Sequence, residues 1–294
     1  MKGLLRKLLE YLWKGTLIGG LSIIALVLAG FFLRTFGLTF PEIKTDYHFL
    51  NGMIFLSGFI YTLTGGIIIK NLHLPKIKII VSLLLLFFLN TVTQMLEAVY
   101  FAPGIISWEV VPAILGQQLI MFSFISVGLA CLFKPAGSDA TMIVPQFKWV
   151  DRLGRVFVGA GSYLCFYYIF GSLNAFFFTG DYYQTQIYGL KIPENWVILL
   201  LETVRGFILV LSVLPWVFHL QAGLKKRMVI VGASLYSIGG LVPMLLQLNA
   251  LPLKLVIASS AEMFFQFFLT GAAVTYILFR GFHKNREGKE ILQL

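Results

Sequence analysis

The sequence predicts an all-α protein, a bundle of about eight transmembrane helices. Three observations carry that expectation. Hydrophobic residues make up 58% of 294 positions and charged residues only 12%, and the mean hydropathy of +0.86 lies outside the range of soluble domains. The apolar residues fall in continuous runs of roughly 20, the length a helix needs to cross a bilayer core about 30 Å thick. They do not alternate, as the strands of a membrane barrel would.

The elements follow in chain order. Residues 1–13 read MKGLLRKLLEYLW, with Leu4, Leu5, Leu8, Leu9 and Leu12 on one helical stripe and Lys2, Arg6, Lys7 and Glu10 off it. This predicts an interfacial amphipathic helix over 1–14 that leads into the first span. A cleaved signal peptide is not expected, because the apolar run 16–33 is too long and no small-residue cleavage site follows it. Spans are predicted at 15–35, 50–69, 78–99 and 110–133, forming a first half over 15–133. After a basic linker at 134–152 come spans at 153–178, 195–217, 228–248 and 255–279, a second half over 153–280, and then a tail at 281–294. The halves have the same orientation. Pro103 and Pro252 each follow the third span of their half, and Leu132-Phe133-Lys134 resembles Leu278-Phe279-Arg280, a pattern compatible with a 4+4 parallel repeat, although apolar segments resemble one another easily.

Charge sets the orientation. Eighteen of the 23 Lys and Arg fall at the two termini and in the three even-numbered loops, including Lys70, Lys76, Lys78, Lys148, Arg152, Lys225 and Lys226. Only Arg34, Lys44, Lys191 and Lys254 fall in the odd loops, and Arg205 lies within a span. The positive-inside rule then puts both termini in the cytoplasm, and the net charge of +10 needs no nucleic acid to explain it. The opposite loops are acidic and aromatic, with Glu42, Asp46, Glu109, Asp181 and Glu194 beside Trp108, Tyr182, Tyr183, Tyr188 and Trp196. Tyr and Trp there suit the headgroup belt.

The most informative feature is where polar side chains interrupt the spans. Most of them sit in the exterior half. At 1.5 Å per residue, Glu97, Gln94 and Asn90 lie roughly 6, 10 and 16 Å below the exterior end of their span, and their spacing puts all three on one face. Glu202 lies about 9 Å deep and Arg205 about 14 Å, and the two can pair at i, i+3. Glu262 lies about 12 Å deep, with Gln266 one turn beyond, while Gln117 and Gln118 are at about 10 to 12 Å. Isolated charges at such depths cost at least a few kcal/mol on insertion scales, so these groups should face the bundle interior, a partner or water. If Glu97, Glu202 and Glu262 share a cavity with Arg205, three carboxylates meet one guanidinium, and either protons or a cation must make up the balance. Asn90, Gln94, Glu97, Gln117, Glu202, Arg205, Glu262 and Gln266 are therefore the candidate substrate-binding residues. The amides among them could equally bond from helix to helix as structural ties.

Other signals are weaker. His48, His73, His219 and His283 are scattered without the paired spacing a metal needs, so no metal and no cofactor are expected. Cys131 and Cys165 lie inside apolar runs and are expected as buried small hydrophobes. The glycine pairs Gly19-Gly20, Gly65-Gly66 and Gly239-Gly240 fit close helix packing better than a phosphate loop. Pro243 should kink or open the seventh span.

Two resemblances add to this reading. Glu202-Thr203-Val204-Arg205-Gly206 resembles the carboxylate and Arg-Gly element of the bacterial intramembrane glutamate proteases. It departs from that family in having one glutamate, at three residues from the arginine, and no histidine in the last two spans. More of the chain is similar to a family of uncharacterised bacterial multi-pass inner-membrane proteins, through residues 90–101 (NTVTQMLEAVYF), 167–177 (YYIFGSLNAFF) and 205–215 (RGFILVLSVLP). That likeness implies a bacterial plasma membrane and no activity. The residues themselves favour a permease-like protein for a small solute or cation in the lipid bilayer, with a site open to the exterior. An enzyme acting on lipid, with a glutamate as general base beside Arg205, is the alternative, and a structural or sensory subunit is a third.

Overall fold

A computed structural model describes residues 2–40, 46–136, 148–185 and 189–280 of the chain. Most of the 134–152 linker, the tail from 281 with His283, and Glu42, Lys44 and Tyr188 lie outside the described residues. Within them, eight helices are long and apolar enough to cross a membrane: α1 (Lys2–Thr35), α2 (Tyr47–Lys70), α3 (Lys76–Phe101), α4 (Val111–Leu132), α5 (Trp149–Gln184), α6 (Asn195–Val217), α7 (Leu224–Leu246) and α8 (Leu253–Phe279). The described residues contain no strand, only an isolated bridge between Leu72 and Leu220. The chain is an integral, multi-pass membrane protein by helix number, length and composition.

The outer surface supports the same conclusion. Phe31 is 75% exposed and Phe176 82%, and they belong to a long series of exposed large apolar side chains along the helices, an outer surface that suits hydrocarbon surroundings. Cys131 and Cys165 correct an expectation: both are free and exposed. A bilayer removes the reason to bury them, because a thiol facing acyl chains is as well placed as one in the core.

In lipid, association depends on close packing rather than on removing apolar surface from water. α1 packs on α2 and α4, and α3 packs on α4; in the second half α5 packs on α6 and α8, and α7 packs on α8. Across the halves, α3 packs on α6 and α2 on α7. Small residues mark the closest approaches. A Cβ on Gly58 of α2 would lie 2.3 Å from the Gly19 Cα of α1, and one on Gly271 of α8 would lie 2.6 Å from the Gly232 Cα of α7. Only glycine allows either pair of backbones to meet at that distance.

At the end that carries the Lys70 and Leu224 termini, the α2–α3 and α6–α7 loops join backbone to backbone. The His73 N–H donates to the His219 carbonyl at 3.0 Å, and the Gln221 N–H donates to the Asn71 carbonyl at 2.7 Å. Partial burial, with the charges of Lys78 and His73 nearby, holds the His219 imidazole below its ordinary pKa.

Several helix details go beyond the sequence-based expectation. α1 is continuous from Lys2 to Thr35, so the segment 1–14 leads into the first span within one helix. α5 extends beyond residue 178 through a π-helical turn at Ala175–Thr179 to Gln184. α7 has its own π turn at Ser237–Leu241, just before Pro243. Proline has no N–H to donate and its ring crowds the carbonyl four residues back. Widening the helix at that point accommodates both effects.

Candidate functional site

Two clusters form from the polar residues in the spans. The first is built on α6, where the i, i+3 spacing brings Glu202 and Arg205 together. Both are fully buried, at 0% and 1% exposure. Arg205 Nη1 donates to both Glu202 oxygens, at 2.8 and 2.6 Å, and Nη2 lies 2.5 Å from Glu97 Oε2 on α3. The guanidinium thus ties α6 to α3. From α5, the Tyr163 hydroxyl donates to Glu202 Oε2 at 2.9 Å, and its ring lies 5.6 Å from the Arg205 guanidinium carbon. Gly206 makes that contact possible: a Cβ there would fall 2.7 Å from the Ala160 carbonyl oxygen and hold α5 away. An arginine stripped of water needs carboxylates and hydrogen bonds to offset its desolvation. It has two of the former, and only its Nε lacks a partner.

The second cluster is built on α8. Gln266 Nε2 donates to Glu262 Oε1 at 2.6 Å from one turn further along. From α5, Asn174 Nδ2 donates to Glu262 Oε2. Gly171 leaves the room, since a Cβ at that position would be 3.2 Å from Glu262 Oε1. Among the described residues no cation lies within ion-pair distance of Glu262. Asn174 is 7% exposed, and its Oδ1 has no donor. The π turn of α5 begins at the next residue.

The remaining candidates separate. Asn90 is fully buried and donates to the Leu86 carbonyl at 2.7 Å and to Ser212 Oγ on α6 at 3.4 Å. Its Oδ1 lies against the π turn of α7, 2.8 Å from where a Cβ on Gly239 would be. Gln117 turns away from the others and donates to the Leu26 carbonyl of α1 at 3.0 Å. Gln94 is buried, its Nε2 has no partner, and it borders a cavity of about 300 Å³ between α3, α4, α7 and α8. Glu97, Gln118, Tyr183, Gln247 and Ser259 line the same cavity.

Three residues of these clusters escape the sequence reading. Tyr163 carries no charge and looks at home in an apolar run. Asn174 falls near the predicted end of its span, where an amide draws no attention, and Gly171 is one glycine among 28. The signal that could have found Asn174 is its position next to Gly171 and Ser172, a polar and small group inside an otherwise aromatic segment. Compared with protein-family models, with curated proteins and with solved structures, the chain matches none.

Proposed function

We propose that this chain is a permease-like protein of a bacterial plasma membrane, with both termini cytoplasmic, that admits a small polar solute or cation from the exterior end. One observation carries the reading. Glu97 belongs to two environments at once: it lines the cavity and it holds Arg205. Its side chain is 21% exposed, whereas that of Glu202 behind it is fully buried.

A cation or hydrogen-bond donor in the cavity competes with Arg205 for the Glu97 carboxylate. Arg205 keeps Glu202 in either case, so releasing Glu97 loosens α3 from α6 without stranding the guanidinium. Binding is thereby coupled to the contact between the two halves, because the ligand favours the arrangement in which Glu97 is free. Gln94, with an unused Nε2, and Gln118 orient the solute.

Support for two related halves comes from the packing, in which α1, α2, α3 and α4 have the same neighbours in order as α5, α6, α7 and α8. Permeases are often assembled from repeats of this kind, with the site at their interface. The basic loops and termini support the orientation. An enzyme using Glu202 as general base has less support, because that carboxylate is wholly enclosed.

The test uses the full chain in liposomes. A cysteine at Tyr183 should react with an impermeant label from outside, and one at Lys226 should not. Uptake of radiolabelled potassium, choline, short diamines and neutral amino acids is then measured. We expect one of these to enter, and Glu97→Gln to slow its uptake by about tenfold or more, the loss of one charge-assisted contact. The variant should stay folded, since the Arg205–Glu202 pair survives it. No uptake of any of these solutes by the wild type, or undiminished uptake by Glu97→Gln, defeats the reading.

A further inference from the structure

A second opening lies on the other side of Glu262. A groove of about 780 Å³ runs between α5 and α8, within the range of small-molecule sites, about 300–1,000 Å³. Phe170, Leu173 and Phe177 form one wall, and Ile257, Ala261 and Phe265 form the other. Phe177 and Ile257 are 63% and 60% exposed, so the groove opens on the outer, apolar face of the bundle. Its floor is polar: Glu262 and Asn174 both line it. Lys254 lines it at the other end, eight residues or about 12 Å from Glu262 along α8.

The floor defines its occupant. Among the described residues, Glu262 is a carboxylate with no cation within ion-pair distance, and the Asn174 Oδ1 beside it is a buried oxygen without a donor, so the groove holds unmet acceptor capacity around Glu262 and its one lining cation, Lys254, sits at the other end. An anionic head would meet a carboxylate. An alcohol brings a single O–H for two acceptors, whereas a primary ammonium brings three donors and the missing charge. Phe170 and Phe265, stacked at 5.1 Å, join the two walls one turn from Asn174 and from Glu262.

We propose that this groove binds a single-chain amphiphile with a primary ammonium head, which enters from the bilayer and places that head between Glu262 and Asn174 while its chain lies along the aromatic walls. The cavity beside Glu97 is a different opening, and this site does not depend on it.

The probe is radiolabelled dodecylamine, bound to the full chain in phosphatidylcholine nanodiscs and corrected for uptake by empty discs. The wild type should bind it saturably and bind dodecanol at least about tenfold more weakly, since dodecanol lacks the charge-assisted bond. Glu262→Gln should weaken dodecylamine binding by about tenfold or more, while leaving dodecanol unchanged. Ala261→Trp should abolish binding of both by filling the groove; it adds bulk on an exposed face and keeps the test available if Glu262→Gln does not fold. Glu97→Gln should bind dodecylamine as the wild type does, which separates this site from the solute cavity. Equal affinity for dodecanol and dodecylamine would mean the groove takes hydrocarbon alone, and that overturns the proposal. Undiminished binding by Glu262→Gln or by Ala261→Trp overturns it as well.

Discussion

Glu202 and Glu262 are held in comparable ways and differ in what holds them. Each sits within a span, each accepts from a side chain about one turn further along its own helix, and each accepts from α5, through Tyr163 or Asn174. The helical partner of Glu202 is a guanidinium, whereas that of Glu262 is an amide. The first carboxylate has its charge neutralised in place and functions as a tie between α6, α5 and α3. The second is oriented without being neutralised, so its charge remains available to something that arrives. A buried acid held by a cation is thus a lock, and a part-buried one held by amides keeps the charge that the proposed amphiphile would meet.

The largest expected effect breaks the lock. Arg205→Met leaves Glu202 and Glu97 facing each other without a cation, and removing one partner of a buried ion pair typically costs about 3–5 kcal/mol. The double variant Glu202→Gln/Arg205→Met should recover only part of this, because Glu97 still loses its partner. Adding Glu97→Gln should return stability to within about 1 kcal/mol of wild type, since the cluster is then neutral at similar volume. Denaturant unfolding in mixed micelles measures all three. If the double variant recovers fully, Glu97 is not part of the tie.

A smaller effect tests the α5 contact. Tyr163→Phe removes one donor to a buried charged oxygen, a loss of about 1.5–3 kcal/mol by the same measurement, and no change would mean that water takes the hydroxyl's place. The smallest effect belongs to the other carboxylate. Glu262→Gln should change stability by less than about 1 kcal/mol, because Asn174 and Gln266 can each rotate an amide to offer oxygen in place of nitrogen. A loss as large as that of Arg205→Met would erase the contrast between the two carboxylates.

Much of this architecture is legible in the residues. Eight runs long enough to span a bilayer gave eight helices, and the i, i+3 spacing of Glu202 and Arg205 put the two in contact. The limits are equally specific. Sequence spacing fixes which residues share a helix face, but not which neighbour that face meets, so Gln117 and Gln118 look equivalent until one bonds to α1 and the other borders the cavity. It also could not divide the polar layer into two clusters. That separation depends on Tyr163 and Asn174 arriving from α5, and Asn174 does so just before a π turn that no simple periodicity anticipates. Cys131 and Cys165 failed for another reason: in lipid, apolar character no longer distinguishes inside from outside.

The backbone junction between Leu72 and Leu220 has a mechanical consequence. Two hydrogen bonds join the α2–α3 and α6–α7 loops, and Lys226 Nζ reinforces them by donating to Asn71 Oδ1 at 2.8 Å. The α3–α4 and α5–α6 loops are joined at the opposite end as well, where the Lys191 N–H donates to the Phe101 carbonyl at 2.8 Å and the Gly104 N–H to the Gly189 carbonyl at 3.4 Å, so the halves are fastened at both ends and tilting one against the other breaks backbone bonds at one of them.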